Sequence, residues 1–391
     1  MICRFKETLG MKEFPDAFSE IFDSAVHEYA EKGTFFLEES YLKGIQDKMN
    51  AFPRVMQETL KQAEEIRKDK ASAEYALFLC RAMENRELFL KNIDCVDFPK
   101  KYTFFAFLCL VPAMDKMYDG LVARGLPQDV IAATVWQYEE CLFVYRDRFD
   151  HLGMNRRYFD HLQSYVDSKI LNIGRLRYEM IELEDLFVLE NKSTVERHLF
   201  LQNGEMNSAG LYADTPPVIQ DGKFEAFFEE RDEEYVGTPV MKNGRCSKEV
   251  KHFSKEEYKL ILKPDDSCLI VHIPAREPLT RQLCDESYNR AREIFEKYYP
   301  ELDVKAFHCH SWMMAPELGE ILKPTSNLLE FQREYLKYPV HTKGKDVLNF
   351  VFKLKFTSYE DMPEETSLQR ALKNMYLSGR YLYEYCGVVP F

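Results

Sequence analysis

One segment, Cys268 to Trp312, constrains the fold of this chain more than any other. It opens with a run rich in branched apolar residues, Cys268 to Ile273, and Pro274 closes this run, which predicts a buried strand. Thr280 is then well placed to cap a helix. Apolar or small residues recur after it at helical spacing: Leu283, Ser287, Ala291, Ile294 and Phe295. A second strand is predicted at Val304 to Trp312, so the segment predicts a crossover unit with two parallel, buried strands.

Length and composition exclude several classes of protein for this chain. Its 391 residues suffice for two domains, and 46% hydrophobic with 30% charged residues is typical of a globular protein. The net charge of −13 argues against a nucleic-acid partner, because phosphate binding needs a basic surface. Phe104 to Met114, the most apolar segment, is short and interrupted by Pro112, so we expect no membrane partner. Scattered cysteines without a CxxC pair, and no signal peptide, predict a cytoplasmic protein.

The character of the sequence changes near Ile170. Residues 1–169 show helical periodicity almost throughout, which predicts an all-α helical bundle. Residues 170–391 carry strand signals: Arg175 to Leu183 alternates after a glycine, and Asn243-Gly244 is a favoured hairpin turn. We therefore expect an α+β protein, in which the helical domain is followed by a mixed β-sheet flanked by helices, with a parallel pair in the middle.

Three further patterns predict local structure in the second half. Ser254 is followed three residues later by Glu257, the spacing of a capping box, which predicts a short helix. Asn327 to Tyr338 and Val347 to Phe356 both alternate between apolar and polar residues. They predict two long strands that pair as a hairpin around Lys343-Gly344.

The order of these elements is similar to the second half of the GNAT acyltransferase fold. More specifically, the chain resembles bacterial acyltransferase domain-containing proteins, which pair a helical N-acyltransferase amino-terminal domain with a GNAT-like carboxy-terminal domain. The resemblance is carried by His272-Ile273-Pro274, Pro278-Leu279-Thr280, Ser287, Ala291, Cys309-His310-Ser311-Trp312, Ser326-Asn327, Phe331-Gln332 and Thr366 to Ala371, and Gly174-Arg175-Leu176 fits the start of the domain. It implies an enzyme that moves an acyl group from coenzyme A to a small-molecule amine by direct attack.

The resemblance also implies where acyl-coenzyme A binds. In GNAT folds two neighbouring strands splay apart, the pantetheine arm pairs with backbone of the first, and the pyrophosphate meets backbone amides at the start of the following helix. The positions implied here are Ile270, Val271, His272, Ile273, Arg276, Thr280, Arg281 and Gln282. The loop is glycine-rich in most relatives, whereas residues 275–280 contain no glycine, and Pro274 and Pro278 offer no amide proton. The alternative is therefore a non-catalytic binding or regulatory protein that has lost the cofactor site.

Catalytic candidates follow from the same resemblance. His310 or His272 lies at the acceptor end of the splayed strands, where a neutral imidazole takes a proton from an attacking ammonium group. Ser311 can orient a carbonyl or a water, and Tyr383 can protonate the leaving thiolate. The alternatives are a half-buried histidine satisfied by backbone, a serine that bonds within its own turn, and tyrosines packed on a strand. We expect no metal, because no carboxylate or cysteine stands at ligand spacing from His308 and His310.

Overall fold

The structure is a computed structural model that describes residues 9–10, 14–219, 221–274, 277–353 and 356–391. By its internal contacts the chain divides into two compact units, Met1–Asn172 and Ile173–Phe391.

The first unit is helical, which confirms the prediction. Its helices are α1 (Ser19–Lys32), α2 (Glu39–Met49), α3 (Met56–Lys68), α4 (Lys70–Glu84), α5 (Arg86–Lys91), α6 (Phe105–Ala123), α7 (Gln128–Phe149), α8 (Arg156–His161) and α9 (Gln163–Val166). Helix α4 is buried along most of its length, and its Phe78 ring packs edge-on against the rings of Phe14, Phe18 and Phe22.

Helix α6 contains Pro112 in its interior. Every residue from Phe105 to Pro112 is buried, so packing on all sides outweighs the missing hydrogen bond at the proline. None of the described helices is both long enough and apolar enough to span a membrane.

The strands within the described residues form a mixed central sheet and two smaller sheets. They are β1 (Ile170–Ile173), β2 (Leu176–Glu182), β3 (Leu186–Asn191), β4 (Arg197–Leu201), β5 (Asn203–Met206), β6 (Phe224–Glu230), β7 (Glu234–Gly237), β8 (Pro239–Val240), β9 (Lys251–Ser254), β10 (Tyr258–Leu262), β11 (Ser267–His272), β12 (Ala306–Ser311), β13 (Leu336–Pro339) and β14 (Tyr385–Pro390). The central sheet has the order β1-β2-β11-β12-β14-β13, and the others are β10-β3-β4-β8 and β5-β6-β7-β9. Strands β11 and β12 run parallel in the middle, as predicted.

The remaining helices all lie in the second unit: α10 (Arg281–Tyr298), α11 (Leu318–Ile321), α12 (Asn327–Gln332), α13 (Asp346–Phe352) and α14 (Ser367–Leu377). Helix α10 is the crossover between β11 and β12. Thr280 caps it as predicted, since its Oγ1 accepts a hydrogen bond from the Leu283 amide.

A buried serine attaches α10 to the sheet. Ser287 Oγ donates to the Ile173 carbonyl at 2.5 Å and accepts from the Leu176 amide at 3.2 Å, and it lies 2.8 Å from Tyr178 Oη. The turn between β1 and β2 approaches this serine at Gly174, whose φ of +61° is a conformation that favours glycine. One hydroxyl thereby fixes the helix against the β1–β2 hairpin.

Three sequence predictions are wrong. Residues 251–262 form β9 and β10 rather than a capped helix: Ser254 does bond its own turn, but β9 pairs with β7 and β10 with β3. The segments 327–338 and 347–356 are not a long hairpin, because they contain the helices α12 and α13. The antiparallel partner of β13 is β14, near the carboxyl terminus. In each case a short alternating or capped pattern fitted both structures, and long-range pairing decided between them.

We predict that Ser287→Ala destabilises the protein, because the Leu176 amide and the Tyr178 hydroxyl lose a buried partner. The expected loss in free energy of unfolding is about 1–3 kcal/mol, measured by urea denaturation. Ser193→Ala, at an exposed position, is the matched control. Equal stabilities of the two variants would contradict the anchoring role of Ser287.

Candidate functional site

The two parallel strands part before they end. Cys268, Leu269 and Ile270 of β11 pair with Ala306, Phe307 and His308 of β12, and the pairing between the two strands stops there. Each strand nevertheless continues, and its outer neighbour follows it: His272 still pairs with Arg177 of β2, and Ser311 still pairs with Tyr385 of β14. A wedge therefore opens between the carboxyl-terminal parts of β11 and β12.

Helix α10 covers one face of the sheet at this wedge. Its Tyr288 ring lies 4.6 Å from the Phe307 ring, and the Tyr288 hydroxyl meets that of Tyr335 at 2.6 Å. Gly387 of β14 makes room for Tyr335, because a Cβ atom there would lie 2.8 Å from that side chain. Since side chains alternate along a strand, the other face of the sheet carries Ile270, His272, His308 and His310.

His272 and His310 thus stand on the same face of the sheet, on either side of the wedge. His272 is half-buried, and its Nε2 lies 2.8 Å from Glu179 Oε2 on β2. His310 is exposed. A carboxylate beside an imidazole orients the ring and selects its tautomer. The sequence did not point to Glu179, because a charged residue in an alternating strand carries no signal of its partner.

His308, two residues before His310, is buried and plays a different part. Its Nε2 lies 2.6 Å from Tyr338 Oη, and its Nδ1 has no hydrogen-bond partner among the described residues. Burial, with a smaller contribution from the charge of His310, lowers the pKa of His308 to about 4. The described residues contain no group of three or more side chains arranged to hold a metal ion.

We predict that His308 weakens the fold in acid. Its pKa is near 6.5 in the unfolded chain and about 4 in the folded one, so stability that is present above pH 6.5 is lost as pH falls towards 4. Between about pH 7 and pH 4 we expect wild type to lose about 3 kcal/mol more than His308→Gln, which does not titrate. Urea denaturation at several pH values measures this difference. Parallel pH curves for the two proteins would contradict the prediction.

Ser311 and Cys309 are engaged in structure. The Ser311 hydroxyl accepts the Met313 amide at 3.1 Å and caps the short 3-10 turn Trp312–Met314, so it does bond within its own turn. Burial raises the pKa of Cys309, which keeps this side chain a thiol and unsuited to attack.

Tyr383 lines a cavity of about 480 Å³ beyond the end of β12. Its hydroxyl donates to the Pro216 carbonyl, and burial raises its pKa to about 12. Glu317 lies in the same cavity, where its Oε1 accepts from Arg245 Nη2 at 2.8 Å and from Tyr385 Oη at 3.4 Å. No sequence signal points to this ion pair, because Arg245 and Glu317 lie 72 positions apart in the chain.

The predicted cofactor-binding residues lie at the start of α10 and on β11. Ile270 is the last residue of β11 that pairs with β12, and Val271 continues along the wedge. Ile273 is half-buried directly after the strand.

At the helix start, Thr280 acts as the cap, whereas two neighbouring side chains are held at the surface. Arg281 forms ion pairs with Asp285 and Glu334, and Gln282 donates to Glu286. Arg276 lies outside the described residues.

The sequence of the carboxyl-terminal unit matches a known family model. A family model described as "GNAT-like C-terminal domain" matches residues 170–389, more than half of the chain. The chain belongs to this family. The GNAT-like sheet order, with its parallel pair parting between β11 and β12, is the structural counterpart of that match.

Solved structures share the fold of this GNAT-like protein. One is an acyltransferase in complex with decanoyl-CoA and teicoplanin, with 17% identity and a TM-score of 0.60 over 99% of this chain and 98% of that chain. Another is an acyltransferase mutant in complex with octanoyl-CoA, with 17% identity and a TM-score of 0.60 over 100% of both chains. A third, in complex with CoA and 10C-teicoplanin, has 16% identity and a TM-score of 0.54 over 89% of this chain and 99% of that chain. At such identity the similarity shows a shared fold. A comparison with curated proteins finds no significant match.

Proposed function

We propose that this protein transfers an acyl group from a coenzyme A thioester to an amine on a small molecule. The observation that carries the proposal is the wedge between β11 and β12, which opens after the pair Ile270 and His308. An open wedge leaves main-chain groups of β11 available to a ligand that lies along the strand. In a protein that had lost its cofactor site, we would expect continued pairing or side chains in this gap.

The residues around the wedge fit coenzyme A. The first amides of α10 have no acceptor within the helix, and the helix dipole favours an anion there. A cleft between α10 and α12, lined by Cys284, Tyr288, Phe331 and Tyr335, leads from that helix start along the covered face of the sheet. When bound, the thioester would supply an activated acyl carbon, and β11 backbone would bind its pantetheine arm.

His272 is our choice for the general base, with Glu179 as its orienting partner. The two side chains lie 2.8 Å apart on the face opposite α10, where an acceptor would meet the wedge. The ammonium group of the acceptor first releases one proton to water, and the neutral amine nitrogen then forms a bond to the acyl carbon as the carbon–sulfur bond breaks. His272 takes the proton that the nitrogen loses, and the thiolate leaves with a proton from Tyr383 or water. His310, across the wedge, would contact the acceptor.

The acceptor is proposed to be a cationic amine. The net charge of −13 favours the approach of a cation. Two structures that share the fold contain teicoplanin or 10C-teicoplanin, which makes a bulky small molecule a reasonable acceptor class. We propose a cytoplasmic location, which suits a coenzyme A-dependent enzyme whose described cysteines are free and mostly buried.

Binding and turnover test the proposal directly. We expect calorimetry to detect binding of octanoyl- and decanoyl-coenzyme A to the protein. We expect release of the coenzyme A thiol when amines from a panel that includes a glycopeptide are added. Mass spectrometry of the acceptor would confirm the new amide. Failure to bind any thioester in a series from acetyl to decanoyl would refute the function.

Substitution of His272 tests the assignment of the base. We predict that His272→Ala lowers kcat by about 100-fold or more and leaves binding of octanoyl-coenzyme A nearly unchanged, because only proton transfer is lost. Glu179→Gln, which removes the orienting carboxylate, should give a smaller loss of kcat. His198→Ala, on β4 beside Phe253 and Tyr258, is the matched control. If His310→Ala abolishes turnover while His272→Ala does not, the assignment to His272 is wrong.

A further inference from the structure

The cavity of about 480 Å³ at the end of β12 is not used by the proposed coenzyme A contacts. Tyr385 fixes its position: this residue pairs with Ser311, the last residue of β12, and its hydroxyl donates to Glu317 Oε1 in the cavity wall. The wedge between β11 and β12 opens towards the same end of β12. A molecule bound in the cavity therefore lies beside the open end of the wedge.

Much of the cavity wall is apolar or aromatic. The uncharged side chains that line it include Leu211, Pro217, Ile219, Met375, Tyr381 and Tyr383. The Tyr383 ring is held in the wall, because its hydroxyl donates to the Pro216 carbonyl. A wall of this kind packs against an organic body and does not suit a bare, strongly hydrated ion.

Two ion pairs supply the charge of the cavity. Arg245 Nη2 donates to Glu317 Oε1 at 2.8 Å. Arg380 Nη2 donates to Glu320 Oε2. Each pair leaves capacity unused: Glu317 Oε2 has no partner in the described part of the chain, and Arg380 bonds side chains there through Nη2 alone, although a guanidinium has several donors. The cavity therefore offers an acceptor oxygen for a cation and N–H donors for an anion.

These two groups lie at different depths. The Glu317 side chain is 12% exposed, whereas that of Arg380 is 51% exposed. Glu317 is also the residue that Tyr385 joins to the end of β12. A ligand that meets both groups would therefore place its cationic end near the strand and its anionic end near the solvent.

The charges of the two ion pairs cancel, so the cavity does not select a ligand of one sign. Lys337, a further cation near Glu317, already donates to Gln332, and burial lowers the pKa of this lysine. A ligand with both an ammonium group and a carboxylate suits such a site, because each of its charges meets an opposite charge in a partly desolvated place. An amine without a carboxylate would leave the donors of Arg380 unused.

We propose that this cavity binds the acceptor, and that the acceptor is an amino acid, which carries a carboxylate beside its amine. Glu317 receives the ammonium form of the amine on arrival, Arg380 binds the carboxylate, and the apolar wall packs against the side chain of the ligand. The inference rests on the proposed function and names its acceptor class. It makes Glu317 and Arg380 specificity-determining residues and leaves proton transfer with His272.

Three probe amines separate the charges of the ligand, with octanoyl-coenzyme A as donor. L-Phenylalanine has the carboxylate, L-phenylalaninamide has a neutral amide in its place, and phenethylamine has neither. We expect Arg380→Gln to lower the ratio of kcat/KM for L-phenylalanine to that for phenethylamine about 10- to 100-fold relative to wild type. The same two amines are compared in each protein, so their own reactivities cancel.

Two further variants and a binding measurement sharpen the test. Glu317→Gln should lower kcat/KM for all three probes by a similar factor, because they share the ammonium group. Arg231→Gln is the control, an exposed arginine that is paired with Glu229 and Glu234 on another sheet. Calorimetry of L-phenylalanine with coenzyme A present, which has no acyl group to transfer, should show a Kd about 10- to 100-fold higher in Arg380→Gln.

The outcomes separate the inference from the function. An equal ratio in wild type and Arg380→Gln, or an equal loss for all three probes in that variant, overturns the inference, while acyl transfer to phenethylamine still supports the enzyme. If wild type binds octanoyl-coenzyme A but neither binds nor acylates L-phenylalanine, the inference fails and the function stands. If wild type binds no thioester, both fail. Should Glu317→Gln not fold, Arg380→Gln decides alone, because its side chain is exposed.

Discussion

The candidate site depends on one constraint, the short pairing of two parallel strands. β11 and β12 share three residue pairs, and each is then held along its outer edge by a different neighbour, β2 or β14. Beyond these three pairs each strand follows its outer neighbour, and the inner edges that face the wedge are left without a strand partner. Ser287 adds to this constraint, since it ties α10 to the β1–β2 hairpin and so limits how far the helix can move over the gap.

His272, His308 and His310 lie on one face of the sheet but have different surroundings. His308 is enclosed next to Tyr338 and stays neutral, because its pKa is lowered by burial. His310, one repeat further along the same strand, is exposed, and His272 across the wedge meets Glu179. Along β12 the side chains on this face therefore change from buried at His308 to exposed at His310. That gradient suits proton transfer at the open end, because a base needs both access and an orienting partner.

Local charge in this protein differs from its total charge. The chain carries −13 overall, yet Arg175 and Arg177 on the β1–β2 hairpin form no ion pair with a carboxylate among the described residues. Net charge is relevant to the approach of a ligand, whereas close contacts decide what binds.

Local sequence determined the crossover unit, because its signals need no distant partner. The branched run of β11, the cap at Thr280 and the inward positions Ser287 and Ala291 each predicted their structure correctly. Residues 327–332 and 346–352 were misjudged, since a few alternating residues suit a strand or a helical turn equally well, and the Ser326 cap was the one signal for α12.

Only tertiary structure decided which side chains meet. The pairs His272–Glu179, His308–Tyr338 and Arg245–Glu317, and the contact of Arg175 with the loop carbonyls, join residues 30 to 103 positions apart. Periodicity reports the face on which a residue lies, but it carries no information about the partner across a sheet or a loop. The sequence therefore determined the helical first half and the strand–helix–strand unit. The wedge, the carboxylate beside His272 and the contact of Arg175 with the loop depend on strand order and register, which only the folded chain sets.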